Sequence, residues 1–325
     1  MTARDRLLEL LADGRFHSGQ ALGERLGVSR AAVWKQLRAL QALGLDLHAV
    51  RGRGYRCAQP LELLHGERVR AALSPRGRAR LSSLDIHTEL DSTNTYLQGR
   101  AAAGAPAGSV CLAECQRAGR GRRGRSWVSP FASNIYLSLL WRFPSSPAAL
   151  SGLSLAAGIG ALRALRELGL EEAGLKWPND ILCGARKVAG VLLDMAGESG
   201  GPSHVVVGVG VNVRMPAGAA RSIDQPWSDL EQLAGRGISR NRLAGRLTEH
   251  LLDVMTVFEN DGFEAFMDEW RRHDLVAGQE VQLLLAGSVV SGRAHGIDPS
   301  GALLVHTGGE ARRFASGEVS LRMRP

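Results

Sequence analysis

With 325 residues the chain exceeds one ordinary domain and has room for two or three packed cores, which its 44% hydrophobic content can fill. Only 22% of residues are charged and 5% aromatic, and no apolar run reaches about 18 residues, which excludes a disordered tail and a transmembrane helix. A net charge of +8 permits a polyanionic partner without requiring one, because such a surplus can equally be solvated surface.

The opening residues Met1 to Arg6 lack the apolar stretch of a secretory signal. Cys57, Cys111, Cys115 and Cys183 form no CxxC pair and have no histidine at metal spacing, so they read as free thiols of a reducing cytoplasm. Leu7, Leu8, Leu10 and Leu11 give a first helix an apolar face, ended by Asp13-Gly14. Ser18 is a candidate N-cap for a second helix with Ala21, Leu22 and Leu26. Gly27-Val28 then makes a turn, and Ser29 caps a third helix whose Ala32, Val33, Leu37, Leu40 and Leu43 fall at helical spacing.

Leu45 to Arg56 reads as two strands around the basic tip Arg51-Gly52-Arg53. The pattern is a winged helix-turn-helix. Residues 1–58 hold ten basic side chains against five acids, so charge, turn and wing agree on DNA. Ser29, Arg30, Lys35, Gln36 and Arg38 are the candidate major-groove contacts, and Arg51 and Arg53 the candidates for phosphate or the minor groove.

Residues 59–80 read as a linker and a short helix. From 84 to about 270, strand-like runs (109–113, 134–140, 204–211) alternate with helical ones (153–168, 240–258), the signature of an α/β domain with a mixed sheet. After Trp270, short alternating segments (280–285, 289–294, 303–306) predict a small antiparallel β-barrel. The expected segments are 1–60, 61–272 and 273–325.

Between two strand-like runs lies Gln116-Arg117-Ala118-Gly119-Arg120-Gly121-Arg122-Arg123-Gly124-Arg125-Ser126-Trp127. Glycines let the main chain approach a ligand, and five arginines without an acid can neutralise a polyphosphate by charge-assisted hydrogen bonds. The Walker spacing is absent, so this is an anion-binding loop of another kind.

Four motifs accompany it: Asp91-Ser92-Thr93-Asn94, Lys176-Trp177-Pro178-Asn179-Asp180, Arg186-Lys187-Val188-Ala189-Gly190-Val191-Leu192 and Gly208-Val209-Gly210-Val211-Asn212. Of forty basic residues only Lys35, Lys176 and Lys187 are lysine. A chain that uses arginine almost everywhere keeps lysine where a compact point charge is needed.

Taken together, the glycine–arginine loop, Lys-Trp-Pro-Asn-Asp, the Arg-Lys-x-x-Gly segment and the Gly-x-Gly-x-Asn strand resemble those of biotin–protein ligases. The N-terminal winged helix makes the chain similar to the bifunctional bacterial form, which also represses biotin synthesis genes. The likeness covers nearly the whole length, and no central motif departs from it. It implies an α+β multidomain protein: a winged helix-turn-helix, a central mixed-sheet ligase domain of the class II synthetase kind, and an SH3-like C-terminal barrel.

It further implies that Ser92, Thr93, Asn94 and Gln116 line a pocket for the biotin ureido ring, with Gly190 and Gly208 beside it. Gly119, Arg120, Gly121 and Arg122 would wrap the biotin carboxylate and the nucleotide phosphate. Arg123 and Lys176 would serve the phosphates, and Trp127, Asn179 and Asn212 the adenine. Asp180 would help place Mg2+, the one cofactor expected beyond the substrates biotin and ATP, with no tightly bound prosthetic group. Lys187 would contact the carboxylate and α-phosphate oxygens as the chief catalytic group, with Arg122 shielding the intermediate. The implied partners are a biotin carboxyl carrier protein, operator DNA and a second copy of the chain in a ligand-promoted homodimer, in the cytoplasm with no membrane.

Three other readings stand beside this one. A lipoate–protein ligase would use the same acyl-adenylate strategy on a related fold. A transcription regulator could sense a ligand without turnover, or the ligase could keep an N-terminal domain that does not bind DNA.

Overall fold

A computed structural model describes residues 2–197, 201–285, 288–316 and 320–323. Met1 of the opening segment, and residues 286–287, 317–319 and 324–325 of the expected barrel, lie outside the described residues. Helices α1 (Ala3–Leu11), α2 (Gly19–Leu26) and α3 (Arg30–Ala42) each turn an apolar stripe inward. Leu7, Leu11, Leu22, Val33, Leu37 and Leu40 meet there in one core. Ser18 and Ser29 cap α2 and α3, their hydroxyls accepting from Ala21 N at 3.1 Å and Ala32 N at 3.2 Å. Gly27, at φ 67°, supplies the left-handed turn between these helices. Antiparallel β1 (Leu47–Val50) and β2 (Gly54–Cys57) form the wing.

Short α4 (Gly66–Ala71) and α5 (Pro75–Arg80) lead to a seven-stranded mixed sheet. Its strands are β3 (Ser83–His87), β4 (Ser109–Ala113), β5 (Ile135–Phe143), β6 (Ala173–Lys176), β7 (Asp180–Cys183), β8 (Arg186–Gly197) and β9 (Ser203–Val211), in the order β3-β4-β5-β9-β8-β7-β6. Only β3 and β4 run parallel.

Side-chain alternation gives the sheet two apolar faces. Val110, Leu112, Leu137, Leu139, Val205 and Val207 pack in the main core with α7 (Leu153–Arg166) and α10 (Arg240–Asp261). Cys111, Leu140 and Val206, one residue out of phase, pack on the other face against Leu97 and Ala101 of α6 (Thr93–Ala102). Short α8 (Ala217–Ala220) and α9 (Leu230–Ala234) follow β9, and α11 (Met267–His273) closes the unit.

Strands β10 (Glu280–Leu285), β11 (Ser288–Ile297), β12 (Leu303–Thr307), β13 (Glu310–Phe314) and β14 (Ser320–Met323) make a five-stranded antiparallel sheet in the order β13-β12-β11-β10-β14. Val281, Leu283, Leu303, Val305 and Leu321 share one core with the central sheet, so the C-terminal part is packed against it rather than tethered. The buried Trp177 donates its Nε1–H to Gly301 O at 3.0 Å across that junction.

The polypeptide between wing and sheet is held by a buried polar cluster. Glu114 accepts from Leu64 N at 2.5 Å and from Arg240 Nη2 at 2.7 Å, with both side chains of the ion pair 5% exposed. Arg240 also donates to Asn134 O and Glu62 O, and Asn241 donates to Leu63 O. Among the described residues no helix is long and apolar enough to cross a membrane.

Candidate active site and nucleic-acid interface

The sheet face that carries α6 leaves a cavity of about 790 Å³. Its floor is made by glycines on adjacent strands. A Cβ on Gly208 would stand 2.2 Å from Asn94 Oδ1, and one on Gly210 would stand 2.4 Å from Trp127 Cε2. Both positions therefore have to be glycine for Asn94 and Trp127 to lie against the strand. Gly190 of β8 pairs with Gly210 of β9, and it too faces Trp127, at 3.3 Å from a Cβ position.

At one end the groups are neutral and mutually fixed. Gln116 Oε1 accepts from Thr93 N at 2.9 Å and from Thr93 Oγ1 at 3.2 Å, while its Nε2 donates to Ser129 Oγ. Ser138 Oγ of β5 lies 2.7 Å from Thr93 Oγ1 and 2.6 Å from Asn94 Oδ1, where its single proton serves the amide oxygen. Asn94 Nδ2 in turn donates to Asp194 Oδ2 at 2.7 Å. Ser92, Thr93 and Asn94 are buried at the start of α6, so hydroxyls and amides are presented on a rigid element rather than a loose turn. Such a set suits a small polar ring with both donors and acceptors.

The other end is cationic. Among the described residues, Arg120, Arg122, Arg123, Arg125, Lys176, Lys187 and Arg322 line the cavity together with two carboxylates, Asp180 and Asp224. Lys187 Nζ lies 2.6 Å from Asp180 Oδ1 and 5.4 Å from the centre of the Trp127 ring. Burial lowers the Lys176 pKa, and nearby Lys187 and Arg125 lower it further against the opposing pull of Asp180. Burial likewise works against the Arg122 guanidinium, again with Asp180 opposing. Among the described residues the lining cations outnumber the acids even with Arg120 paired to Asp194, a balance that suits an anion.

The glycine–arginine segment forms a folded loop along this end. Gly121 N donates to Arg125 O at 2.7 Å and Trp127 N to Gly119 O at 2.9 Å. Sequence reasoning assigned its glycines generally to close approach, and the structure separates two reasons. Gly119 has no room for a Cβ, which would stand 2.5 Å from Trp127 O, whereas Gly124 adopts φ 72°. Arg123 also has a positive φ of 56°, and its guanidinium donates to Leu284 O of the C-terminal sheet. Arg122 donates to Asn179 Oδ1 at 3.1 Å and to Ser316 O, and Arg120 pairs with Asp194.

Most of the expected site residues come together here, and two do not line the cavity. Gly119 is tucked behind Trp127, and Asn212 turns its amide to Ser228 O at 3.2 Å. Asn212 thereby anchors the 226–230 segment, whose Pro226 O accepts from Lys187 N. Ser138, Asp194, Asp224, Gln279 just before β10, and Arg322 of β14 join the site without a place in the expectations. Asp194 had a signal, since Gly190, Leu192 and Asp194 share a strand face by period two; Arg322 had none, because tertiary packing alone brings it in.

Mg2+ fits this site as a companion of phosphates. Among the described residues no cluster of three His, Cys, Asp or Glu could cage a metal, but Asp180 and Asp224 reach the cationic end. One or two carboxylates plus phosphate oxygens is the usual setting for Mg2+.

On α3, Ser29, Arg30, Lys35 and Arg38 are exposed, as are Arg51 and Arg53 at the wing tip. Gln36 is half-buried, with its Oε1 unpartnered. Arg53 stacks over Phe16 at 4.2 Å, which supports the wing from beneath.

Fold and cavity define a ligase of the acyl-transferring kind joined to a helix-turn-helix unit. Residues 88–212 match the model of the biotin/lipoate A/B protein ligase family, residues 4–56 an HTH domain, and residues 276–322 the biotin protein ligase C terminal domain. The bifunctional ligase/repressor BirA of Salmonella typhimurium is 40% identical over 97% of this chain and 96% of its own length. The Escherichia coli protein of that name is 39% identical over 98% and 96%. The biotin protein ligase of Aquifex aeolicus, solved in complex with biotin and ATP, superposes with a TM-score of 0.64 at 28% identity, covering 75% of this chain and all of that one. The chain belongs to the family of bifunctional biotin ligase/repressors.

Proposed function

We propose that this chain activates biotin as biotinyl-5′-AMP, transfers it to a lysine of a biotin carboxyl carrier protein, and represses biotin synthesis genes through its winged helix in the cytoplasm. The observation that carries this reading is one cavity with a neutral polar end for the ureido ring and a cationic end for carboxylate and triphosphate. The relatives include bifunctional ligase/repressors and a biotin–[acetyl-CoA-carboxylase] ligase, and the C-terminal part matches a biotin protein ligase domain, which favours it over lipoate and over a regulator without turnover. The roles divide over residues 1–60 for DNA, 61–272 for catalysis and 273–325 for closing the site.

In the first step a biotin carboxylate oxygen attacks the α-phosphorus of ATP, a P–O bond forms and pyrophosphate leaves. In the second, the carrier amine attacks the acyl carbon, loses a proton and releases AMP. No side-chain nucleophile is needed, so catalysis rests on alignment and on charge stabilisation at phosphorus. Lys187 supplies a focused cation to the carboxylate and α-phosphate oxygens. Thr93, Asn94 and Gln116 hold the ureido ring, with Ser92, Gly190 and Gly208 shaping the pocket around it. Trp127 and Asn179 bear on the adenine. Arg120 and Arg122 close over the anhydride and exclude water from it. Bound with the nucleotide, Mg2+ would neutralise phosphate charge and be held by Asp180 together with phosphate oxygens.

Ligand occupancy also promotes a homodimer whose two winged helices match a two-fold operator. Purified protein incubated with biotin, Mg-ATP and an apo carrier domain should add one biotin mass to the carrier, with lipoate inert. It should also sediment as a dimer when the two substrates are present. An unmodified carrier, despite folded and biotin-binding protein, would turn the reading to a sensing regulator.

A further inference from the structure

We infer that Trp34, with Ala31, reads thymine methyl groups in the major groove, making α3 an apolar as well as a charged reader of its operator. The inference rests on the DNA-binding role proposed above.

Trp34 is 52% exposed, although nothing in the stability of the helical unit calls for an indole on its outer side. The inner stripe of α3 is complete without it, with Val33, Leu37 and Leu40 buried. Ala31, one turn earlier, is also exposed, so the two make a short apolar strip in the N-terminal half of the helix. Arg30, Lys35 and Arg38 surround that strip, and α3 contains no acidic residue. Arg38 stacks its guanidinium over the Trp34 ring at 4.7 Å, which holds the indole in place before any partner arrives.

A cationic rim around an apolar strip is complementary to a groove with phosphate walls and a methyl-bearing floor. Thymine is the base that presents such a methyl, at C5 in the major groove, and the N-terminal half of a recognition helix is the part that reaches base edges. A protein partner would require acidic complementarity to three cations. The polyanionic duplex supplies it without further assumption.

The test uses the full chain with biotin and Mg-ATP to select duplexes from a randomised pool at physiological salt. The enriched duplex is then resynthesised with deoxyuridine replacing one thymidine at a time, which removes only the C5 methyl. At one or two positions per half-site, wild-type affinity should fall about fourfold, the worth of burying one methyl-sized group. Trp34→Ala should bind more weakly and treat thymidine and deoxyuridine alike there, while Trp34→Phe keeps part of the discrimination. An unchanged thermal midpoint in both variants checks that the domain is intact.

Retained discrimination in Trp34→Ala, or no position where wild type loses more than about twofold, overturns the inference while leaving DNA binding in place. Weaker ligand-promoted dimerisation of Trp34→Ala without DNA would make the strip a protein contact and overturn it as well. A pool that yields no enriched duplex at all would instead defeat the DNA-binding role itself, and the inference with it.

Discussion

Lys176 carries its charge at a cost in its buried position. Burial and the neighbouring Lys187 and Arg125 lower its pKa, and Asp180 offsets them only in part. Between the lowered folded value and the ordinary 10.5 the unfolded chain holds more protons, so stability rises with pH across that window. Lys176→Met should therefore raise the thermal midpoint of the ligand-free protein at neutral pH, abolish that alkaline rise, and weaken ATP binding about tenfold or more. A variant that is both less stable and unimpaired toward ATP would refute this account of the cationic end.

Lys176 and Lys187 stood out in the sequence because lysine is scarce, and the structure brings both to Asp180. Asn212, expected at the adenine from the resemblance, donates its amide to Ser228 O, a partner that only the folded loop reveals.

At the scale of elements, β8 and β9 matter through what they lack. Gly190 and Gly210 sit opposite each other and let the Trp127 ring lie against the strands. Gly210→Ala would drive a methyl into that ring, displacing Trp127 and with it the cation–π contact to Lys187. Nucleotide affinity should drop about tenfold or more, whereas biotin affinity, set at the Thr93 and Gln116 end, should change less than threefold; titration calorimetry with each ligand separates the two. Equal loss of both would mean the floor acts as one unit.

The segment Lys176 to Asp180 shows why elements were only partly legible. Its composition reads as a turn, and it is one, but the flanking β6 and β7 are four residues each and buried on both sides. Strands that short carry no period to recognise, unlike the ten- to twenty-residue stripes of α3 and α10. Expected runs at 109–113 and 280–285 coincide with β4 and β10, because a glycine at positive φ, Gly108 or Gly278, stands just before each.

Across the whole molecule, the winged helix is not a bead on a string. Asp5 of α1 accepts from Thr88 Oγ1 at 2.7 Å, and Phe131 and Ala132 of the catalytic part lie in the helical core. Burial would raise the Asp5 carboxyl, but hydrogen bonds from Thr88 and Thr2 outweigh it and keep it lowered, so this tie persists above about pH 4 and is lost as pH falls through the lowered value.

The buried Glu114–Arg240 pair fixes the connecting residues 62–65 to β4 and α10. Glu114→Ala would leave an unpaired buried guanidinium and should cost about 3–5 kcal/mol in urea unfolding. A loss under about 1 kcal/mol would show that the cluster is solvated or dispensable. None of this was visible beforehand, since partners more than a hundred residues apart leave no local pattern. The three-part plan was legible, because the helical first segment carries a basic surplus, helices alternate with strands in the middle, and short alternating strands close the chain.

The central claim is that one cavity joins biotin to ATP through Lys187, and biotin-dependent ATP–pyrophosphate exchange measures that step without any carrier. Wild type should exchange label only when biotin is added, and Lys187→Ala should fall about 100- to 1000-fold while its circular dichroism stays unchanged. Exchange that ignores biotin, or a folded Lys187→Ala variant with near-normal exchange, would contradict the account.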